Sequence, residues 1–205
     1  MKRGIITTIS LIILMAVSAF GALTPEQVLR KASSSLLNAK GIECRFSLSG
    51  SQGSLQGSLK AKGKKFAITT PGLSTWYDGK TMWTANASTK ETTVTVPTAA
   101  EVAEVNPLAY IHGYDANYRI AFSKNREAGK YRILLNPKKR NTGIKAVDIT
   151  INAKSFKPER IYIRQSNGQL ITVMIRSLNL SASVSASEFT YPASRYRGYE
   201  TVDLR

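Results

Sequence analysis

Leu73-Ser74-Thr75-Trp76-Tyr77-Asp78-Gly79-Lys80-Thr81-Met82-Trp83 is the stretch on which the fold turns. Large apolar and aromatic side chains stand on both sides of Asp78-Gly79, a dipeptide that supplies the positive φ of a tight turn, so the stretch reads as a two-residue β-hairpin. Working outward, the same short period-2 runs recur. Upstream lie Cys44-Phe46-Leu48, Leu55-Leu59 and Phe66-Ile68, and downstream lie Val94-Val96, Ile120-Phe122 and Tyr131-Ile133-Leu135. Val147-Ile149-Ile151, Ile161-Ile163 and Ile171-Val173-Ile175 complete the series. Asn167-Gly168 marks a second hairpin and Glu127-Ala128-Gly129-Lys130 another turn. About ten short antiparallel strands at meander spacing predict a mainly β (α+β) protein built on a barrel or one strongly curved sheet.

Two segments break this rhythm. Thr24-Pro25-Glu26-Gln27 offers an N-cap threonine, proline at the first helical position and glutamine where a capping box needs it. Val28, Leu29, Ala32, Leu36 and Leu37 then form one apolar stripe, and Gly41 is the predicted stop. Thr98-Ala99-Ala100-Glu101 is a second capping box, opening a helix with Val102 and Val105 on one face. Asn106-Pro107 restarts it through Leu108 and Ile111, and Gly113 ends it. A curved sheet has a concave side to be covered, and these amphipathic helices are the candidate covers, with Val102, Val105, Leu108 and Ile111 as the lid contacts.

The chain opens with basic Lys2 and Arg3, an apolar run from Ile5 to Val17 and the small-residue stretch Ser18-Ala19-Phe20-Gly21-Ala22. Residues 1–22 therefore read as a secretory signal peptide, cleaved after Gly21 or Ala22, with 23–205 as one exported domain. The alternative is a retained anchor, since Gly4 to Leu23 is just about the ~20 residues a spanning helix needs. No cysteine lies near the exit, so the leader is not of the kind that ends in an acylated cysteine. Cys44, the only cysteine, excludes an intrachain disulfide and alternates with Phe46 and Leu48 as a buried strand residue does.

The 205 residues carry 29 Lys+Arg against 13 Asp+Glu, a formal net charge of +16. In an exported protein this excess fits anionic envelope lipid or a basic solvated surface better than nucleic acid, for which no motif is present. Catalytic material is scarce. His112 is the only histidine, and no Gly-x-Ser-x-Gly elbow, phosphate loop or dinucleotide fingerprint accompanies it. A metal site built on several histidines or cysteines is excluded by composition. Asp78 and Asp148 read better as a turn residue and a solvent-facing strand residue than as a glycosidase pair. The expectation is no catalytic residue, no metal and no cofactor. The candidate site is instead an apolar groove lined by Phe46, Phe66, Trp76, Met82, Trp83 and Met174.

From Pro71 to Trp83 the chain resembles the periplasmic lipoprotein carrier (LolA-like) family, in which a hairpin of the form Asp-Gly-Lys-Thr-apolar-Trp is familiar. The resemblance extends to the helix at Thr24, to Gly57-Ser58-Leu59-Lys60, Pro97-Thr98 to Glu101, Asn106-Pro107-Leu108, Leu135-Asn136-Pro137 and Phe189-Thr190-Tyr191-Pro192. The ending from Tyr196 to Arg205 is similar to that of Bacteroidetes members. The resemblance implies an incomplete antiparallel β-barrel closed by helices around an apolar cavity. It further implies a monomeric, non-enzymatic periplasmic shuttle, taking acylated lipoproteins from an inner-membrane lipoprotein-releasing transporter to an outer-membrane acceptor or to the outer membrane directly. A lipid- or lipoprotein-binding envelope sensor is the alternative on the same fold, and a lipid hydrolase using His112 comes third. One departure stands out. The proteobacterial Arg-Pro pair that helps hold the lid shut is replaced by Lys62-Gly63-Lys64-Lys65.

Overall fold

The computed structural model describes residues 23–51, 53–112, 117–139 and 143–205. The expected signal peptide and Gly113 lie outside the described residues. The first helix, α1, spans Pro25–Leu37. Its capping box forms as the sequence predicts: Gln27 N donates to Thr24 Oγ1 at 3.2 Å, and Thr24 N donates to Gln27 Oε1 at 2.9 Å. Val28, Leu29, Ala32 and Leu36 are buried on one face. The helix ends at Asn38, three residues before Gly41. Gly41 has a different task, because a Cβ there would lie 2.5 Å from the Ala182 carbonyl oxygen. It lets the C-terminal segment approach, and Ala182 N donates to its carbonyl at 3.0 Å.

The strands follow as β1 (Ile42–Gly50), β2 (Gly53–Lys62), β3 (Lys65–Thr70), β4 (Leu73–Tyr77), β5 (Met82–Asn86) and β6 (Glu91–Thr95). After the helical insertion come β7 (Tyr118–Phe122), β8 (Lys130–Pro137), β9 (Ile144–Asn152), β10 (Pro158–Gln165), β11 (Leu170–Asn179) and β12 (Glu200–Asp203). Among the described residues they form one twelve-stranded curved sheet in the order β12-β6-β5-β4-β3-β2-β1-β11-β10-β9-β8-β7. Two antiparallel meanders are thus joined through β1 and β11, and the sheet is not closed into a barrel. Register shifts between Arg45 and Phe46 in β1 and at both ends of β10 mark irregularities of the kind that add local twist. β12 departs from the antiparallel expectation, running parallel to β6 at the edge.

Both hairpin turns differ from their predicted length. Tyr77 pairs with Met82, so residues 78–81 form a four-residue loop. The Asp78 carboxylate accepts from the Lys80 and Thr81 backbone amides at 2.8 Å each, a side-chain turn that lengthens the connection, while Gly79 still supplies the positive φ of 100°. Asn167 does the same for Gln169 N at 2.9 Å beside Gly168. The second helix, α2 (Ala99–Val105), starts in the expected box, with Glu101 N donating to Thr98 Oγ1 and Thr98 N to the Glu101 carboxylate. Those bonds hold the Glu101 carboxyl below its ordinary value. Asn106 then breaks the helix, as a residue preceding proline is disfavoured in the α region, and Pro107–Ile111 continues as a 3₁₀ helix rather than an α-helix.

β6 lies beside one edge of the sheet and β7 is the other edge, so the α2–3₁₀ connection runs between the two margins of the curved surface. The main core cluster joins the buried face of α1 and Leu108, Tyr110 and Ile111 of the 3₁₀ helix to one face of the sheet, including Cys44, Phe46, Leu59, Phe66, Ile133, Ile149 and Ile161. Among the described residues no helix is long and apolar enough to cross a membrane.

Candidate functional site

Strand parity sorts the predicted groove residues into two faces. On β3 to β5 the cross-strand series Phe66–Tyr77–Met82 faces the main core, while Ala67–Trp76–Trp83 faces the other way. Trp76 and Trp83 are therefore not beside Phe66. They meet the C-terminal segment: Trp76 packs edge-on against Tyr191 and Tyr196 at 5.5 and 5.4 Å, and Trp83 stacks on Tyr191 at 6.5 Å. Tyr191 also hydrogen-bonds the buried Thr92 hydroxyl at 2.9 Å, and Phe189 is buried with Ala182 and Val184 beside Ala67. These aromatics strap the last part of the chain across the outer face. Met174 lies opposite Ser47 and Arg160, between residues whose neighbours Leu48, Ile161 and Val173 point to the core, so it too belongs to the outer face. Phe46 is on the core face, and its ring fills the space over Gly57, where a Cβ would come within 2.4 Å of it. Phe46 is part of a filled core.

A cavity of about 730 Å³ opens at one end of the core face. Its walls come from the end of α1 (Leu36, Leu37), from Ile42, Ala61, Phe66 and Tyr77 of the first meander, and from Tyr118, Pro137 and Ile144 of the second. The remaining wall is the helical connection, through Val102 and Ala103 of α2 and Leu108 and Tyr110 of the 3₁₀ helix. Of the expected groove residues only Phe66 lines this space; Met82 shares its face without reaching it. Of the expected lid contacts Val102 and Leu108 line it, whereas Ile111 is fully buried and Val105 is packed against the core cluster. Tyr77, one of the large aromatic side chains of the strands but not among the expected groove residues, is singled out by its pairing with Phe66. Tyr110 and Tyr118, at the two ends of the 3₁₀-to-β7 connection, carried no comparable signal.

The polar chemistry around the cavity is sparse. His112 lines it, and its Nδ1 lies 3.2 Å from Ser33 Oγ on α1. Burial lowers the pKa of this imidazole, favouring the neutral ring. No Asp or Glu among the described residues hydrogen-bonds it. Glu101 is held in its cap, Asp78 in its turn, and Asp148 in a 2.6 Å ion pair with Arg132. Burial likewise pushes the Cys44 thiol up to about 12 and raises Tyr110 and Tyr118 above the ordinary tyrosine value. Among the described residues no group of three or more His, Cys, Asp or Glu side chains is arranged to hold a metal ion.

An open twelve-stranded sheet with an apolar cavity beneath an inserted helical connection agrees with the sequence match. Residues 16–169 match the family described as outer membrane lipoprotein carrier protein LolA. The chain belongs to this LolA family. Its fold is similar to that of an uncharacterized conserved protein from Thermus thermophilus, with a TM-score of 0.60 at 12% identity, covering 87% of this chain and 98% of that one. A LolA superfamily protein from Nitrosomonas europaea (TM-score 0.46, 11% identity, 84% and 100% covered) is a more distant likeness. So is a DUF1329 family protein from Desulfovibrio piger (0.49, 11%, 83% and 98%). No curated protein matches the chain at a significant level. In this LolA-family chain, Lys62-Gly63-Lys64-Lys65 spans the β2–β3 turn, with Gly63 at φ 59° and Lys64 and Lys65 at the cavity wall.

Proposed function

We propose that the protein is a periplasmic carrier that holds the acyl chains of lipoproteins in this cavity and moves them from the inner to the outer membrane. The observation that carries the reading is the position of the cavity. It is apolar, it draws walls from both meanders, and its remaining wall is the short α2–3₁₀ connection between the sheet margins. Val102, Ala103 and Val105 of α2 are only half-buried, so α2 is held by far less apolar contact than α1 and is suited to act as a cover that moves. Phe66, Leu36, Tyr77, Val102, Leu108 and Tyr110 are the contacts we assign to the chains.

Acyl-chain burial returns ~0.8 kcal/mol per methylene. The ~40 methylenes of a triacylated lipoprotein carry a nominal ~30 kcal/mol, beyond the roughly 20 kcal/mol ceiling of non-covalent affinity. A carrier therefore works on the difference between cavity and bilayer, and an open sheet with a movable cover keeps that difference small. The leader at residues 1–22 directs export and is removed, leaving a diffusible monomer that meets an inner-membrane releasing transporter and an outer-membrane acceptor or the outer membrane itself. The ending from Tyr196 to Arg205 supports a Bacteroidetes-type member.

The test is extraction of a synthetic triacylated lipopeptide from phosphatidylcholine vesicles by the mature protein. Lipopeptide is expected in the soluble fraction with wild-type protein and not with Ala103→Trp, which fills the cavity from α2. Wild-type protein that leaves all lipopeptide in the vesicles would overturn the reading.

A further inference from the structure

The charged residues lining the cavity are unbalanced. Lys64 and Lys65 come from the β2–β3 turn and the start of β3 and Lys139 from the β8–β9 connection, so two segments distant in sequence bring three cations to one opening, where Glu104 is the one carboxylate among the described residues. All three lysines are exposed at the mouth, while the deeper wall is Leu36, Ile42, Ala61 and Phe66. A few cations elsewhere are held by carboxylates, among them Lys60 by Glu188, Lys130 by Glu127 and Glu159, and Arg132 by Asp148. Among the described residues Lys64, Lys65 and Lys139 have no such partner. An apolar interior with unneutralised ammonium groups at its rim is complementary to an amphiphile whose anion sits directly outside its chains.

We propose that the cavity also takes an anionic glycerophospholipid, with the two acyl chains inside and the phosphate among Lys64, Lys65 and Lys139. This rests on the cavity being an acyl-chain site and adds a second cargo to it. A lipoprotein anchor carries neutral thioether, ester and amide groups where its chains end, which give three ammonium groups nothing to neutralise. A phospholipid places a phosphate at that position. Each basic side chain near such a headgroup contributes roughly fivefold in affinity, so the three together separate an anionic from a neutral lipid by an order of magnitude or more at low salt.

The experiment measures transfer to the mature protein of phosphatidylglycerol, phosphatidylcholine and diacylglycerol with identical chains. It uses wild type and the triple variant Lys64→Gln, Lys65→Gln, Lys139→Gln, whose substitutions are all on exposed side chains. Wild type is expected to prefer phosphatidylglycerol by at least about tenfold, and the variant to lose that preference while still taking diacylglycerol. Equal uptake of all three lipids by wild type, or a preference that survives in the variant, would overturn the headgroup proposal and leave the acyl site standing. No uptake of any lipid, diacylglycerol included, would overturn both. Glycerol 3-phosphate binding as tightly as phosphatidylglycerol would place a phosphate site at the lysines independent of the cavity, and would also refute the proposal.

Discussion

Acidification is expected to loosen the α1–3₁₀ contact through one residue. His112 follows the 3₁₀ helix, lines the cavity, and is joined to the buried Ser33 of α1 at 3.2 Å. Burial favours its neutral form, so its folded pKa lies below the ordinary 6.5. Above that value both folded and unfolded chains hold a neutral ring, and the residue adds no pH dependence. As the pH falls below it, the unfolded chain takes up a proton that the folded chain refuses. Stability then declines by up to ~1.4 kcal/mol per pH unit until the folded pKa is reached. The carboxylates held low by hydrogen bonds, among them Glu127, Glu159 and Glu188, lose their contribution only as the pH falls below their ordinary 4.5. On acidification the histidine window therefore opens before the carboxylate window, at about 6.5 rather than 4.5. Urea unfolding at constant ionic strength, in steps from about pH 8 to about pH 5, reads the slope directly. Wild type should lose stability below about pH 6.5, and His112→Gln, which keeps a side-chain partner for Ser33, should be nearly flat over the same interval. Parallel profiles for the two proteins would show that His112 does not set this pH dependence.

Three further outcomes follow from the packing. Gly57→Ala places a methyl group against the Phe46 ring, where a Cβ would approach to 2.4 Å, and should cost about 1–3 kcal/mol in chemical denaturation. Trp76→Ala removes the centre of the aromatic strap and should cost about 3–5 kcal/mol, yet the folded fraction should still extract lipopeptide, since Trp76 does not line the cavity. Cys44, buried in the core with its thiol pushed up to about 12, should resist iodoacetamide at neutral pH in the native state and react fully in urea, as mass spectrometry will show.

Much of the sheet was legible because most strands of the two meanders alternate between more and less buried side chains. The period-2 runs from Cys44 to Ile175 mark β1 through β11, and both capping boxes mark their helices by local chemistry that tertiary contacts do not override. β12 was not legible. Glu200-Thr201-Val202-Asp203 is polar and exposed on most of its length, and its pairing with β6 is fixed by the aromatic strap upstream rather than by its own pattern. The site was legible in kind and only partly in residues. A large aromatic side chain signals burial without saying on which face, so Trp76 and Trp83 looked like groove residues until paired with Ala67 and Tyr191. Counting parity outward from Phe66 would have chosen Tyr77. Gly41 shows the same gap between local and tertiary signals: it looks like a helix stop, and its lack of a side chain serves the approach of Ala182.

We propose that the cavity between the sheet and the α2–3₁₀ connection carries acyl chains. Mass spectrometry of protein isolated from the periplasm without detergent tests it most directly. Wild type should arrive with acylated lipoprotein or lipid bound, and Ala103→Trp, folded to the same extent, should arrive empty. Wild-type protein free of any acylated species, or equal loading of the filled variant, would contradict the account.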